Sequence, residues 1–281
     1  MGIFFAVLGL ISALYIGLVF ISVYVVHQFP RNPVSDRPDW GKVTDEKIPA
    51  QNGGFLEMWR IEPEGRSRGI VLFAQGRNRG RMVDRARLFG KWGFTTVIHS
   101  ARDHGGSSRC KFMNAVKFAE DIESVMDWIG EPVLLYGHSA GSAGAIIAAS
   151  RNHGRIKILF LEASYAYTKE ALRSLYRWFN AFFGIFFAPA ILFLMDILYE
   201  NRIDSVSPAR LAPGIKIPVM LIHGEKDARF PLRFAEKLKN SFMPGRAELY
   251  VAKGADHSDS SRTPGYAEAV KDFMDRHPVC D

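Results

Sequence analysis

Two hydrophobic patterns divide this chain. From Gly2 to Val26 no charged side chain occurs and apolar residues run almost without interruption. A bilayer hydrocarbon core roughly 30 Å thick needs about 20 such residues in a helix, so the segment predicts a membrane-spanning anchor. A basic start and a small-residue cleavage site, the marks of a removable signal, are both missing, which favours a retained helix over a cleaved one. The competing expectation, an apolar helix buried in a core, fits the length and terminal position less well. Beyond it, residues 27–44 are rich in Pro, Arg, Asp and Asn without apolar periodicity and are expected to form a linker.

From residue 45 to residue 281 the pattern changes to short apolar runs separated by helical ones. The runs are Gly69–Ala74, Phe94–Ile98, Pro132–Tyr136, Ile156–Leu161, Ile217–Ile222 and Ala247–Val251. Their brevity and β-branched content predict buried strands. Between them, Val116, Ile122, Val125, Met126 and Ile129 recur at helical spacing. Alternating strands and helices imply an α/β domain with a mainly parallel sheet covered on both faces. The alternation lapses at about residues 165–212, too long for a bare loop. Its apolar stretch Ala181–Leu194, interrupted by Pro189, predicts two short helices or a kinked one forming a helical cap over the domain.

Composition adds exclusions. The 281 residues carry 48% hydrophobic and 23% charged residues, the balance of one folded domain plus a small extra element. The net charge of +7 comes without zinc-finger spacing or RNA-binding aromatic motifs, which argues against nucleic acid as a partner. Cys110 and Cys280 provide neither a metal-ligand spacing nor a disulfide framework. Arg31, Arg37 and Lys42 follow the anchor, whereas only the α-amino group precedes it, so the positive-inside rule expects a single-pass membrane protein with a cytoplasmic domain.

The chemistry concentrates at three strand ends. Gly137-His138-Ser139-Ala140-Gly141 follows one expected strand and opens a helix of small residues. A serine held on such a sharp strand-to-helix turn projects its hydroxyl above the sheet, and only small neighbours leave room for the turn. Serine is a weak nucleophile near neutrality and needs a base, itself oriented by an acid. His257 and Asp227 follow the last two expected strands, at the sheet edge where open α/β sheets bind ligands. Glu162, at the end of another strand, is an alternative acid. His104, His138 and His223 are expected to pack and hydrogen-bond, and Asp256 and Asp259 to be solvated.

With Gln75-Gly76-Arg77, Ser100-Ala101-Arg102-Asp103-His104-Gly105-Gly106-Ser107 and Pro231 after Asp227, these motifs make the chain from about Asp45 onward resemble the α/β-hydrolase superfamily. The likeness is to its serine-hydrolase branch of esterases, monoacylglycerol-lipase-like and serine-aminopeptidase-like enzymes. It implies a Ser139, His257, Asp227 triad, an oxyanion hole made by the backbone N–H groups of Arg77 and Ala140, no cofactor and no metal. Gln75 stands where that branch usually has His before Gly, and Ser100 and Asp103 alter its Asp-X-Arg-Gly-His-Gly-X-Ser segment.

The expected activity is hydrolysis of a carboxylic ester through an acyl-enzyme, with lipid or long-chain acyl esters favoured by the anchor and cap. A serine aminopeptidase and a non-catalytic membrane-anchored scaffold are the alternatives. Two features have double readings. Arg77, Arg79, Arg81, Arg85, Arg87 and Lys91 form a solvated helix face or, less expectedly, an anion site. The cap, with Phe182, Phe183, Phe186 and Phe187, packs on the body as a lid or dips into the bilayer beside the anchor.

Overall fold

The computed structural model describes residues 1–28, 31, 34, 37–51, 53–76, 79–151, 154–200 and 202–278. Arg77 and Cys280 lie outside these residues. The chain opens with helix α1 (Gly2–Val26). Strands follow at β1 (Lys42–Pro49), β2 (Phe55–Glu62), β3 (Ile70–Gln75), β4 (Thr95–His99), β5 (Val133–His138), β6 (Ile156–Glu162), β7 (Val219–Gly224) and β8 (Ala247–Ala252). Helices α2 (Val83–Lys91), α3 (Ala115–Ile129) and α4 (Ala140–Arg151) connect the central strands. Helices α5 (Thr168–Phe179), α6 (Ala181–Phe186), α7 (Ala188–Leu198) and α8 (Pro208–Leu211) fill the interval between β6 and β7, and α9 (Arg233–Lys239) and α10 (Tyr266–Arg276) complete the fold.

The eight strands form one sheet in the order β1-β2-β4-β3-β5-β6-β7-β8. From β4 to β8 every pairing is parallel, while β1 and β2 join antiparallel at one edge. Because successive strand side chains point to opposite faces, each central strand feeds two cores. Leu72, Leu135, Leu159 and Leu221 pack with Ile122, Val125 and Ile146 on one face. Phe73, Tyr136, Phe160 and Ile222 pack with Phe89, Val270 and Phe273 on the other.

All six expected strands are present, and the strand expected from Ile217 starts at Val219. Pro218 has no N–H to offer a ladder. The edge hairpin was not expected, and β1 begins inside the range assigned to the linker. Only Ile48 of β1 is buried, and β2 interleaves Glu57 and Arg60 with buried Leu56, Met58 and Ile61, so neither strand forms an apolar run. Asn114 caps α3 by accepting the Lys117 amide at 3.1 Å.

The cap is four helices long. α6 ends at Phe186 and α7 begins at Ala188, with Pro189 in its first turn, where the missing amide hydrogen has no intrahelical partner to lose. Among the described residues α1 is the one helix long and apolar enough to cross a membrane, with a mean hydropathy of 2.6 in its most apolar window. It is fastened to the cap. Val19 and Val23 share a buried cluster with Ile191, Leu192 and Met195, and Tyr15 donates from its hydroxyl to the Phe186 carbonyl at 2.8 Å.

Candidate active site

Ser139 stands between β5 and α4 with φ at +54°, a conformation that a residue with a side chain adopts only when its surroundings enforce it. The enforcement is visible. Its amide donates to the Glu162 carbonyl at 2.9 Å, and its own carbonyl accepts the Ser142 amide at 2.9 Å and hydroxyl at 2.6 Å. Crowding explains the glycine at 141: a Cβ there would lie 2.5 Å from the Ala74 carbonyl oxygen. The elbow thus sits directly on the end of β3.

Loops from two further strand ends, those of β7 and β8, converge on the serine. His257 Nε2 lies 2.9 Å from Ser139 Oγ, and its Nδ1 lies 2.8 Å from Asp227 Oδ2. A carboxylate accepts, so Nδ1 carries the hydrogen and Nε2 is left to accept from the serine hydroxyl. Asp227 also accepts the Arg229 and Phe230 amides on Oδ1, both at 2.9 Å. Burial alone would raise its pKa, but the hydrogen bond and charge of His257 and the Phe230 amide outweigh that and hold the carboxyl below its usual range. Asp227 and His257 are buried, while Ser139 is half-buried and open to an incoming molecule.

The alternative acid is engaged elsewhere. Glu162 is fully buried and forms a two-point ion pair with Arg85, at 2.5 Å and 2.6 Å, while Tyr136 donates to it at 2.6 Å. Burial would raise its pKa, yet the Arg85 pair takes it down to about 2. Arg85 is therefore no part of a solvated face. Arg79 lies over the Trp59 ring at 4.1 Å and near Asp45 and Glu57, and Arg87 pairs with Asp39 at 2.9 Å. These partners leave the three described arginine side chains committed to the protein itself.

The histidines divide as expected. His138 donates through Nε2 to the His257 carbonyl at 3.2 Å, and burial pushes it down to about 3, so it is neutral. His223 donates to the Phe230 carbonyl at 2.6 Å and steadies the turn that carries Asp227. His104 is buried and directs Nδ1 to the Arg102 carbonyl at 2.9 Å. The loop with Ser100 and Asp103 is structural. Arg102 bonds Asp121 at 2.5 Å and Glu120 at 2.8 Å on α3, and Ser107 accepts the Glu57 amide at 3.0 Å. Phe230, which packs edge-on against His257 with centroids 5.2 Å apart, was not singled out from the sequence; its place three residues after Asp227 was the available signal.

Ala140 opens α4, so its amide has no acceptor within the helix. Its proposed companion, Arg77, lies outside the described residues. Gln75 is buried, and its Nε2 has no acceptor among the described residues. A cavity of about 560 Å³ begins at Ala140 and Tyr165 and extends between body, cap and anchor. No group of His, Cys, Asp and Glu able to hold a metal ion occurs among the described residues.

Known proteins share this arrangement of elements. Residues 65–210 match the family described as serine aminopeptidase, S33. Protein bem46 of Schizosaccharomyces pombe is 21% identical over 233 residues, covering 80% of this chain and 73% of that protein. Lysophosphatidylserine lipase ABHD12 of Xenopus tropicalis is 22% identical over 77% of this chain, and that of Macaca fascicularis 23% over 69%. The chain spans 60% of the first lipase and 50% of the second. Among solved structures, the Pyrococcus furiosus esterase Pf2001 superposes with a TM-score of 0.69 at 18% identity, over 89% of this chain and 99% of that one. A bacterial membrane phospholipase A superposes with a TM-score of 0.64 at 15% identity over 100% of both chains.

Proposed function

The chain belongs to the serine aminopeptidase S33 family of α/β hydrolases, and from that premise we propose that it is a membrane-anchored serine hydrolase that cleaves carboxylic esters of lipids through an acyl-enzyme. The observation that carries this reading is the single histidine hydrogen-bonded to Ser139 on one ring nitrogen and to Asp227 on the other. Ser139 Oγ attacks the ester carbonyl as His257 Nε2 takes its proton. The Ala140 N–H donates to the oxyanion that forms, and His257 returns the proton to the departing alcohol. Water then attacks the acyl-enzyme by the same proton route, regenerating Ser139 and releasing the acid.

Lipid esters are favoured over peptides by the surroundings. The one carboxylate lining the cavity among the described residues, Glu120, is paired with Arg102 at 2.8 Å and is not free to hold a substrate amine. The cap, meanwhile, exposes Phe182, Phe186 and Phe193. Tyr15, which touches Phe186 and Phe187, stands about three turns before the end of α1, about 16 Å along its axis. If α1 spans the bilayer, the cap tip lies within hydrocarbon and its exposed rings face acyl chains rather than water. We take residues 1–26 as the anchor, with the catalytic body on the cytoplasmic side.

The test is labelling of purified protein, wild type and Ser139→Ala, with a fluorophosphonate probe, followed by mass mapping of the adduct. The expected result is an adduct on Ser139 that the alanine variant lacks. A folded wild type that stays unlabelled would replace this reading with that of a non-catalytic anchored scaffold.

A further inference from the structure

The cavity that starts at Ala140 and Tyr165 does not close within the catalytic body. Its next walls come from the cap, where Leu172, Tyr176 and Met195 present apolar surface. Its remaining boundary includes Val26 and His27, the last residue of the membrane helix and the one that follows it. One continuous space thus joins the residue after the nucleophile to the membrane end of the anchor. At about 560 Å³ it falls among ordinary ligand sites, which hold about 300–1,000 Å³.

His27 is built into this wall. It is buried, with Nδ1 2.7 Å from the Val23 carbonyl and Nε2 3.1 Å from the Tyr199 hydroxyl. A carbonyl only accepts, so Nδ1 bears the hydrogen and Nε2 accepts from Tyr199. With both ring nitrogens committed, and Phe112 edge-on at 5.5 Å, His27 offers the cavity a neutral ring and no charge. A fixed, uncharged stop of this kind suits the methyl end of a hydrocarbon chain.

We propose that this cavity binds the acyl chain of a bilayer-resident ester, and that Val26 and His27, locked by Tyr199, are specificity-determining residues that limit the chain length accepted. The proposal deepens the ester-hydrolase reading and rests on it for the position of the ester carbonyl, which would lie at Ser139 with the chain directed past Tyr165 toward the anchor. The bilayer is the source because the wall itself ends the membrane helix. A chain drawn in there leaves hydrocarbon for a cavity lined mainly by apolar side chains, with Lys117, Glu120 and Arg202 among its polar ones.

The test uses the full chain in phospholipid nanodiscs and two readouts. The first does not depend on turnover: a diazirine-bearing hexadecanoate is irradiated with the wild type and its adducts are mapped. Adducts on Leu172, Tyr176, Met195 or Val26, displaced by unlabelled hexadecanoate, are expected; adducts confined to the outer surface of α1 and α6 would overturn the site. The second compares hexadecanoyl and butanoyl esters in Val26→Trp and His27→Ala. Filling the cavity with tryptophan is expected to lower the long-to-short ratio of kcat/KM about tenfold or more, since even one methylene of misfit counts in an apolar pocket. A ratio unchanged in both variants would overturn the proposal. Cavity adducts with no hydrolysis of either ester would leave the acyl site standing and sink the hydrolase reading; hydrolysis without cavity adducts would do the reverse. A hexadecanoyl thioester supplied from water that outcompetes a hexadecanoyl lipid supplied in the disc would overturn the bilayer source.

Discussion

Arg85 grips Glu162 through two hydrogen bonds of 2.5 and 2.6 Å, wholly buried behind the nucleophile. The pair links both halves of the proposed site. The Glu162 carbonyl accepts the Ser139 amide at 2.9 Å, and Arg85 donates its remaining Nη2 hydrogen to the Ser258 carbonyl, next to His257, at 2.9 Å.

Breaking that pair on one side should therefore damage stability and geometry together. Glu162→Gln leaves a buried guanidinium with half its compensation, and losing one partner of a buried pair costs about 3–5 kcal/mol. A lower denaturant midpoint is expected, with fluorophosphonate labelling slowed in the fraction that remains folded. Replacing both residues, Arg85→Met with Glu162→Gln, is expected to recover part of the midpoint. No difference between the single and double variants would argue that the pair is not coupled.

Asp227→Asn should act on chemistry instead. An amide at that place cannot hold the Nδ1–H tautomer, and kcat is expected to fall roughly a thousand- to ten-thousand-fold with the denaturant midpoint much less affected. Steady-state kinetics on a short-chain ester would show it. Should Asp227→Asn retain most of its activity, another group would have to orient His257.

Stability should fall on mild acidification. Burial takes His138 down to about 3 and His99 down to about 4, against 6.5 for an exposed imidazole. Below pH 6.5 the unfolded chain takes up protons at both positions while the folded chain does not, so their contribution is complete above pH 6.5 and declines as pH drops toward 4 and then 3. Each costs up to about 1.4 kcal/mol per pH unit in that window. Glu162 adds a separate loss that starts only below its ordinary 4.5 and runs toward 2. Urea midpoints at about pH 7 and about pH 5 should differ for this reason, and equal midpoints would contradict the assignment of buried neutral histidines.

The depth of the cap can be read optically. Phe186→Trp places an indole beside Tyr15, and brominated lipids should quench it more strongly with bromine deep in the chain than with bromine near the headgroup. Quenching confined to headgroup-proximal bromine would leave the cap at the interface.

How much of this was legible in the sequence follows from which contacts are local. Ser139, Asp227 and His257 each follow an apolar run within a few residues, and strand ends of a parallel sheet share one edge, so their convergence could be expected. Arg85 could not be separated from its arginine neighbours, because its burial depends on Glu162, 77 residues away. The edge hairpin escaped for a different reason: β1 buries only Ile48, and β2 sends Leu56 and Met58 to one core and Trp59 and Ile61 to the other with Glu57 and Arg60 interleaved, so neither shows an apolar run. Pro189 was a usable signal for the break in the cap, but nothing in the local pattern pairs Tyr15 with Phe186 at a separation of 171 residues.

That last pairing bears on how the enzyme can be handled. Val19 and Val23 share one buried cluster with Ile191, Leu192 and Met195, so a truncation at the chemical boundary after Val26 cuts through a packed unit. The shortened protein would carry a bare greasy face on its cap and a cavity without the wall made by Val26, and is expected to self-associate or to need detergent even though its hydrophobic tail is gone. Solubility here would have to be engineered on the cap, not gained by removing the tail.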